Sequence, residues 1–289
     1  MAQGLLVLDK PQGISSRQAL DRAAMWFPRK TKIGHAGTLD PLATGVLVLA
    51  IGQATRLVEY VQAMPKMYRT RIRLGAKSDT DDAGGTITPN PTTAQLAETT
   101  IRAALDRFIG EVEQIPPAYS AARVEGQRAY DRARRGDEVT LAPRRVRIDR
   151  IDLLSYAWPD LVLEIHCGKG TYIRSIARDL GAALGVGGYV AELRRLSIGA
   201  FTLDQAVTLH ADPETARQKL LPITMAVSGL RAVRVSPNDA QRLRNGLSIS
   251  AAGEGEVAVL DQNGQLLAMG RVENGLLRPE KVLQMTSDQ

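Results

Sequence analysis

From residue 4 to about residue 75, apolar runs alternate with a helix and a glycine-rich loop. Val46-Leu47-Val48-Leu49-Ala50-Ile51 is apolar without a break, the pattern of a buried strand. Met67 to Leu74 alternates in character at period two, which predicts a half-exposed strand. Ser16 to about Phe27 reads as a helix, and Thr93 to Ile109 fits an amphipathic helix with Leu96, Ile101, Leu105 and Phe108 on its core face. Lys77 to Asn90 between them is rich in Asp, Gly and Thr and reads as a loop. Pro116-Pro117 breaks regular structure, residues 146–166 hold strand-like runs such as Leu161–Ile165, and Thr171 to Leu184 reads as a helix entered from Gly168-Lys169-Gly170. Past Ser228-Gly229 the texture changes. Ala232 to Met285 consists of short alternating segments with Asn-Gly pairs at Asn245-Gly246, Asn263-Gly264 and Asn274-Gly275, a hairpin-rich signal. The pattern predicts a larger α/β (α+β) domain over 1–228. A small β-barrel or sandwich follows over 229–289.

Composition narrows the setting. With 289 residues the chain can bury a sizeable core, and no run approaches the ~18 apolar residues that span a bilayer. The start, Met1 to Lys10, lacks a basic leader and turns polar at once, so no signal peptide is expected. Cys167 is the sole cysteine, which excludes a disulfide framework and suits a reducing cytoplasm. With only His35, His166 and His210 beside it, a zinc site is not expected. The net charge of +6 permits a polyanionic partner. Between Arg123 and Arg150 nine arginines stand against five acids. Arg128, Arg132 and Arg135 fall at helical spacing over Val124–Arg135: either a solvated, ion-paired helix or an arm whose guanidinium forks meet phosphates.

The candidate chemistry centres on one acid. Asp40 lies in Gly34-His35-Ala36-Gly37-Thr38-Leu39-Asp40-Pro41-Leu42-Ala43-Thr44-Gly45, where glycines permit close backbone approach and the apolar run behind anchors the loop. An acid there suits either a turn that satisfies backbone N–H groups or a catalytic group. Two other segments mimic known sites and fail. Gly168-Lys169-Gly170-Thr171 lacks the upstream glycine of a phosphate loop, because Leu163 stands there. Asp79-Thr80-Asp81-Asp82-Ala83-Gly84 opens like a calcium loop but has Ala83 at a ligand position and Asn90 where the bidentate glutamate belongs.

Three segments in order, Lys10-Pro11-Gln12-Gly13-Ile14-Ser15-Ser16, the Asp40 loop, and Gly168 to Gly181 with Thr171-Tyr172-Ile173-Arg174, resemble the TruB family of tRNA pseudouridine synthases. The resemblance extends through Pro117–Arg123 to a tail similar to a PUA RNA-binding domain. It implies the pseudouridine synthase fold, with residues 1–228 as a catalytic domain on a mixed, largely antiparallel sheet, and the isomerisation of uridine to pseudouridine at position 55 in the T-loop of tRNA, with no cofactor and no metal. Asp40 then becomes the catalytic carboxylate, attacking the ribose C1′ or abstracting a ribose proton; the residues leave both routes open. Arg174 would keep Asp40 ionised and oriented, and Tyr68 would stack on the base and assist proton transfer. His35 would enter the space vacated by a flipped uridine, and Tyr172 and Leu193 would line the pocket. Lys10 and Pro11 would brace its wall. Arg123, Arg128 and Arg132, on an RNA-binding arm at about 110–150, would contact the T-arm, with arginine at 123 where family members often carry lysine. Asp82 belongs to a segment the family uses near the substrate. The implied partner is tRNA, with no membrane, no obligate protein partner and a monomeric state. Two rivals share the motifs: a guide-RNA-dependent subunit of the dyskerin type, disfavoured by the lack of an N-terminal extension and basic tail, and a non-catalytic tRNA-folding chaperone.

Overall fold

A computed structural model describes residues 2–91, 95–120 and 141–283, together with the backbone of 123–124 and 127–128. The chain opens with β1 (Gly4–Lys10) and α1 (Ser16–Ala24), followed by β2 (Ile33–His35), β3 (Thr44–Ile51), α2 (Val58–Ala63) and β4 (Lys66–Leu74). A capping box starts α1: the Ser15 hydroxyl accepts from the Gln18 N–H while the Gln18 side chain returns to the Ser15 N–H. The segment expected to be a plain loop instead carries a small hairpin, β5 (Ala76–Ser78) with β6 (Ile87–Pro89). Next come α3 (Glu98–Leu105) and β7 (Gly110–Gln114). The amphipathic helix is thus shorter than its spacing suggests: Leu96 precedes it and Phe108 sits in a following 3₁₀ turn, both still packed on the core.

In the arginine-rich arm, β8 (Arg123–Val124) and β9 (Gln127–Arg128) pair antiparallel, where Val124–Arg135 had suggested a helix. Gly126 lowers the helix propensity of this stretch, which helps to explain the difference. Arg132 and Arg135 lie outside the described residues, as do the side chains of Arg123 and Arg128. The N-terminal part closes with β10 (Arg144–Ala157), β11 (Asp160–Cys167), α4 (Ile173–Ala183), β12 (Gly188–Ile198), β13 (Phe201–Thr202) and α5 (Pro213–Gln218).

The main sheet runs β1-β3-β12-β4-β11-β10-β7, with β2 added on β3 and β13 on β12. It is mixed and largely antiparallel: only β12 and β3 run parallel, joined through Arg194–Thr44 and Arg195–Gly45. Both faces of β3 are covered, which is why its sequence is apolar throughout: Leu47, Leu49 and Ile51 face one core, Val46, Val48 and Ala50 the other. Strand β4 is covered on one face only. Tyr68, Thr70, Ile72 and Leu74 point inward, while Arg69, Arg71 and Arg73 pair with Glu164, Asp160 and Glu192 outside.

The C-terminal part holds β14 (Arg231–Arg234), α6 (Pro237–Arg244), β15 (Ile249–Ser250), β16 (Gly255–Leu260), β17 (Leu266–Glu273) and β18 (Leu276–Val282). Its five strands form a curled half-barrel in the order β14-β16-β17-β18-β15. Asn274 and Gly275 both take positive φ, 52° and 75°, as a tight hairpin turn between β17 and β18 requires. Asn245-Gly246 does something else: it terminates α6, with Gly246 at φ 79°. That helix starts on Ser236 and Pro237, an N-cap and first-turn pair inside a segment whose alternation suggested strands alone. Ala258, Leu266, Met269 and Leu283 share a core with Leu57, Val61 and Ala226, and Tyr60 donates to Glu256 at 2.6 Å, so the curled sheet is docked on the N-terminal part. Among the described residues no helix is long and apolar enough to cross a membrane.

Candidate active site

The Asp40 loop leaves β2 and enters β3, and it is tied down along its length. The Ser16 hydroxyl, from the start of α1, accepts from the Leu39 N–H at 2.7 Å and donates to the Leu39 carbonyl at 3.0 Å. The Gly13 N–H donates to the Pro41 carbonyl at 2.8 Å, and the Ala43 N–H closes a turn on Asp40 at 3.0 Å. From the far side, Arg195 on β12 donates through Nε to Val46 at 2.7 Å and through Nη2 to Gly37 at 3.2 Å. The glycine density now has a specific cause at one position: a Cβ on Gly45, at φ 98°, would lie 2.2 Å from the Arg195 carbonyl oxygen. Only glycine lets β3 run this close to β12.

Arg174 comes from the first turn of α4. Its helix entrance is set by Gln114, whose amide accepts from the Tyr172 N–H at 2.8 Å and donates to the Tyr172 carbonyl at 3.1 Å. The guanidinium reaches Asp40 at 2.9 Å and Asp82 at 3.4 Å, and donates to the carbonyls of Thr80 and Tyr119, each at 2.9 Å. The Asp-rich loop that mimics a calcium site therefore supplies counter-charges to α4: Asp82 faces Arg174, and Asp81 meets Arg178 at 3.1 Å. Burial pushes the Asp40 carboxyl above the usual carboxylate range; Arg174 opposes this, Asp82 adds to it, and Lys10 opposes it more weakly. The Asp40 side chain is still 35% exposed, toward the cleft.

That cleft, with a volume of about 250 Å³, is walled by the Asp40 loop on one side and by Gly168–Arg174 on the other. Tyr68, Tyr172 and Leu193 line it. Tyr68 is buried, and burial raises its pKa, keeping the phenol neutral; the neighbouring Arg195 pulls the other way. Lys10 is fully buried below the loop, its ammonium donating to the carbonyls of Pro11 and Ile14 at 2.9 and 2.7 Å, an arrangement that braces the wall. His35, the last residue of β2, pairs with Leu49 of β3 and does not line the cleft. Arg195, Lys66, Ser16 and Gln114 were not singled out by sequence. Asp152, Glu164 and His166 approach one another closely enough to hold an ion, but they lie off the cleft and are engaged by Arg150 and Arg69.

Family models match most of the chain: the TruB family pseudouridylate synthase N-terminal domain over residues 25–173, the tRNA pseudouridylate synthase B C-terminal domain over 174–228, and the pseudouridine synthase II TruB C-terminal domain over 232–283. A tRNA pseudouridine synthase B of Dinoroseobacter shibae is 41% identical, with 97% of this chain and 95% of that protein covered. One from Thermobifida fusca is 39% identical over 96% of this chain and 98% of its own. Among solved structures, a Cbf5-Nop10-Gar1 complex matches with a TM-score of 0.76 and 25% identity, covering 96% of this chain and 84% of that one. An H/ACA ribonucleoprotein bound to a substrate RNA matches at TM-score 0.75 and 23% identity, covering 98% and 85%; that likeness shows the fold.

Proposed function

The chain belongs to the TruB family of pseudouridylate synthases, and from that premise we propose that its cleft receives a single uridine turned out of the T-loop of tRNA, at position 55, without a guide RNA. It is an isomerase that converts uridine to pseudouridine in tRNA. The observation that carries the site assignment is the Asp40–Arg174 pair, 2.9 Å apart, facing a cleft with Tyr68, Tyr172 and Leu193 on its walls.

In the reaction the C1′–N1 bond breaks, the uracil turns, and a C1′–C5 bond forms. The C5 proton is lost and N1 gains one, so the product is an isomer of the substrate. Asp40 acts as its carboxylate, whether it attacks C1′ or removes a ribose proton, and Arg174 holds it ionised against the burial that favours its neutral form. Turning the base out of its stack costs a few kcal/mol. Stacking on Tyr68 returns ~1–3 kcal/mol, and Leu193 and Tyr172 close the apolar walls. His35, at the entrance of the loop, contacts the T-loop left behind. Arg123, Arg128 and Arg132 meet phosphates of the T-arm.

The test is to incubate the purified protein alone with an unmodified tRNA transcript and map pseudouridine. Product at the T-loop uridine supports the proposal. Tight tRNA binding with no product, or product only after a guide RNA is added, overturns it.

A further inference from the structure

The cleft has an electrostatic imbalance. Four cations line it, Lys66, Lys169, Arg174 and Arg195, against one carboxylate, Asp40. Arg174 is matched twice over, by Asp40 and Asp82. Lys66 and Arg195 are both buried, yet among the described residues neither makes an ion pair with a carboxylate. Arg195 donates to the carbonyls of Val46, Gly37 and Thr38 and lies against the Tyr68 phenol. Lys66 donates to the carbonyls of Gln62 and Met64, at the end of α2. Its strand partner Cys167 offers no counter-charge, because burial pushes that thiol up to about 11. Burying a cation without a counter-ion costs several kcal/mol, and burial, with Arg195 beside it, lowers the pKa of the Lys66 ammonium to about 8, so that it stays mostly charged at neutral pH. Folding alone gives no reason to place two of them in the wall of a reaction cleft.

Resting on the proposed function, we propose that Lys66 and Arg195 supply the fixed positive charge against which uracil leaves the ribose. When the C1′–N1 bond breaks, its electron pair stays with the base, and the negative charge spreads over N1, O2 and O4. The charge disappears when C5 bonds to C1′ and N1 is protonated. Fixed positive charge aimed at such a transient anion stabilises the transition state without stabilising the neutral bound uridine to the same degree. Arg195 also holds the Asp40 loop, so Lys66 is the clean probe: it touches no residue of that loop by hydrogen bond.

The experiment compares wild type, Lys66→Met and Lys66→Arg in single-turnover reactions on two tRNAs, one with uridine and one with 5-fluorouridine at the target position. Fluorine at C5 withdraws charge inductively and makes the departing base anion intrinsically more stable. Lys66→Met should slow consumption of uridine by about 100-fold while leaving the Kd for tRNA unchanged. With 5-fluorouridine the loss should shrink to about tenfold or less, and Lys66→Arg should recover part of the uridine rate. Equal losses on both tRNAs, or a loss confined to Kd, would assign Lys66 to bracing α2 and overturn the inference. Wild-type protein that leaves the uridine tRNA unmodified would instead sink the function on which it rests.

Discussion

Replacing Arg174 by methionine tests whether Asp40 works as an ionised group held by one cation. The Arg174 and Asp82 side chains are 5% and 10% exposed, so removal of the guanidinium strands a buried carboxylate. Breaking a buried pair costs ~3–5 kcal/mol. The Asp40 half of the network adds less, because its side chain is 35% exposed and water screens it. A 289-residue chain unfolds with an entropy of about 0.6 kcal/mol/K, so the melting temperature should fall by about 5–8 °C.

The effect on rate is separable. Losing a charge-assisted hydrogen bond worth ~1.5–3 kcal/mol slows the step by about 10- to 150-fold. The sign of the pH dependence follows from the causes acting on Asp40. Burial raises its pKa and Arg174 lowers it, so without Arg174 the carboxyl titrates higher still. The acidic limb of the single-turnover rate should move upward in pH, and activity should recover as pH rises through the new value. Release of label from C5 of the target uridine in tRNA reads this directly. A variant whose rate stays within about threefold of wild type at every pH, with an unmoved acidic limb, would refute the assignment.

Asp40→Asn should reduce turnover to a small residual rate, measurable only in long incubations, while filter binding to tRNA persists; loss of both to the same degree would make Asp40 a folding residue. Ser16→Ala removes both hydrogen bonds to Leu39 and leaves a buried N–H unmatched, at a cost of ~1–3 kcal/mol. Thermal denaturation should show that loss, and kcat should fall with Kd unchanged. Gly45→Ala places a Cβ 2.2 Å from the Arg195 carbonyl oxygen, at φ 98°. The cost should be about 3 kcal/mol or more, read from a circular-dichroism melt. Binding of tRNA should weaken steeply as salt rises, since arginine–phosphate contacts release counterions; a flat salt dependence would contradict the proposed arm.

Much of the fold was legible because burial leaves a mark on residue order. The unbroken run of β3 reflects cover on both faces, and the alternation in β4 reflects cover on one. Local signals with two physical uses were ambiguous. Asn-Gly makes a hairpin at Asn274-Gly275 and a helix stop at Asn245-Gly246, since both demand positive φ. In the site, Asp40 stood out through its glycines, and Arg174 only through the motif around it. Asp82 carried no local sign of its task, because its partner arrives from α4, far along the chain. Arg194 and Arg195 show the limit most sharply. Period two sends adjacent strand residues to opposite faces, but the register shift between Val190 and Glu192, just before them, resets which goes inward. Arg194 pairs with Asp9 near the surface, and Arg195 is 1% exposed beneath the loop.

Ser16 and Arg195, both hard to read from the sequence, hold the Asp40 loop. Fixing one residue's backbone costs ~1–2 kcal/mol, so a free glycine-rich loop would spend much of the tRNA binding energy on ordering Asp40. Ser16, Gly13 and Arg195 place that cost in folding instead, and Arg174 fixes the carboxylate from the opposite wall. Charge already in position needs no rearrangement when the bond breaks. Ser16 and Gly13 lie outside the cleft lining and act only through the acid, which makes their effects non-additive with its loss. In an Asp40→Asn background, Ser16→Ala should lower the melting temperature as before and leave the residual rate untouched. A further fall in that rate would mean that Ser16 contributes to the chemistry by a route other than the loop.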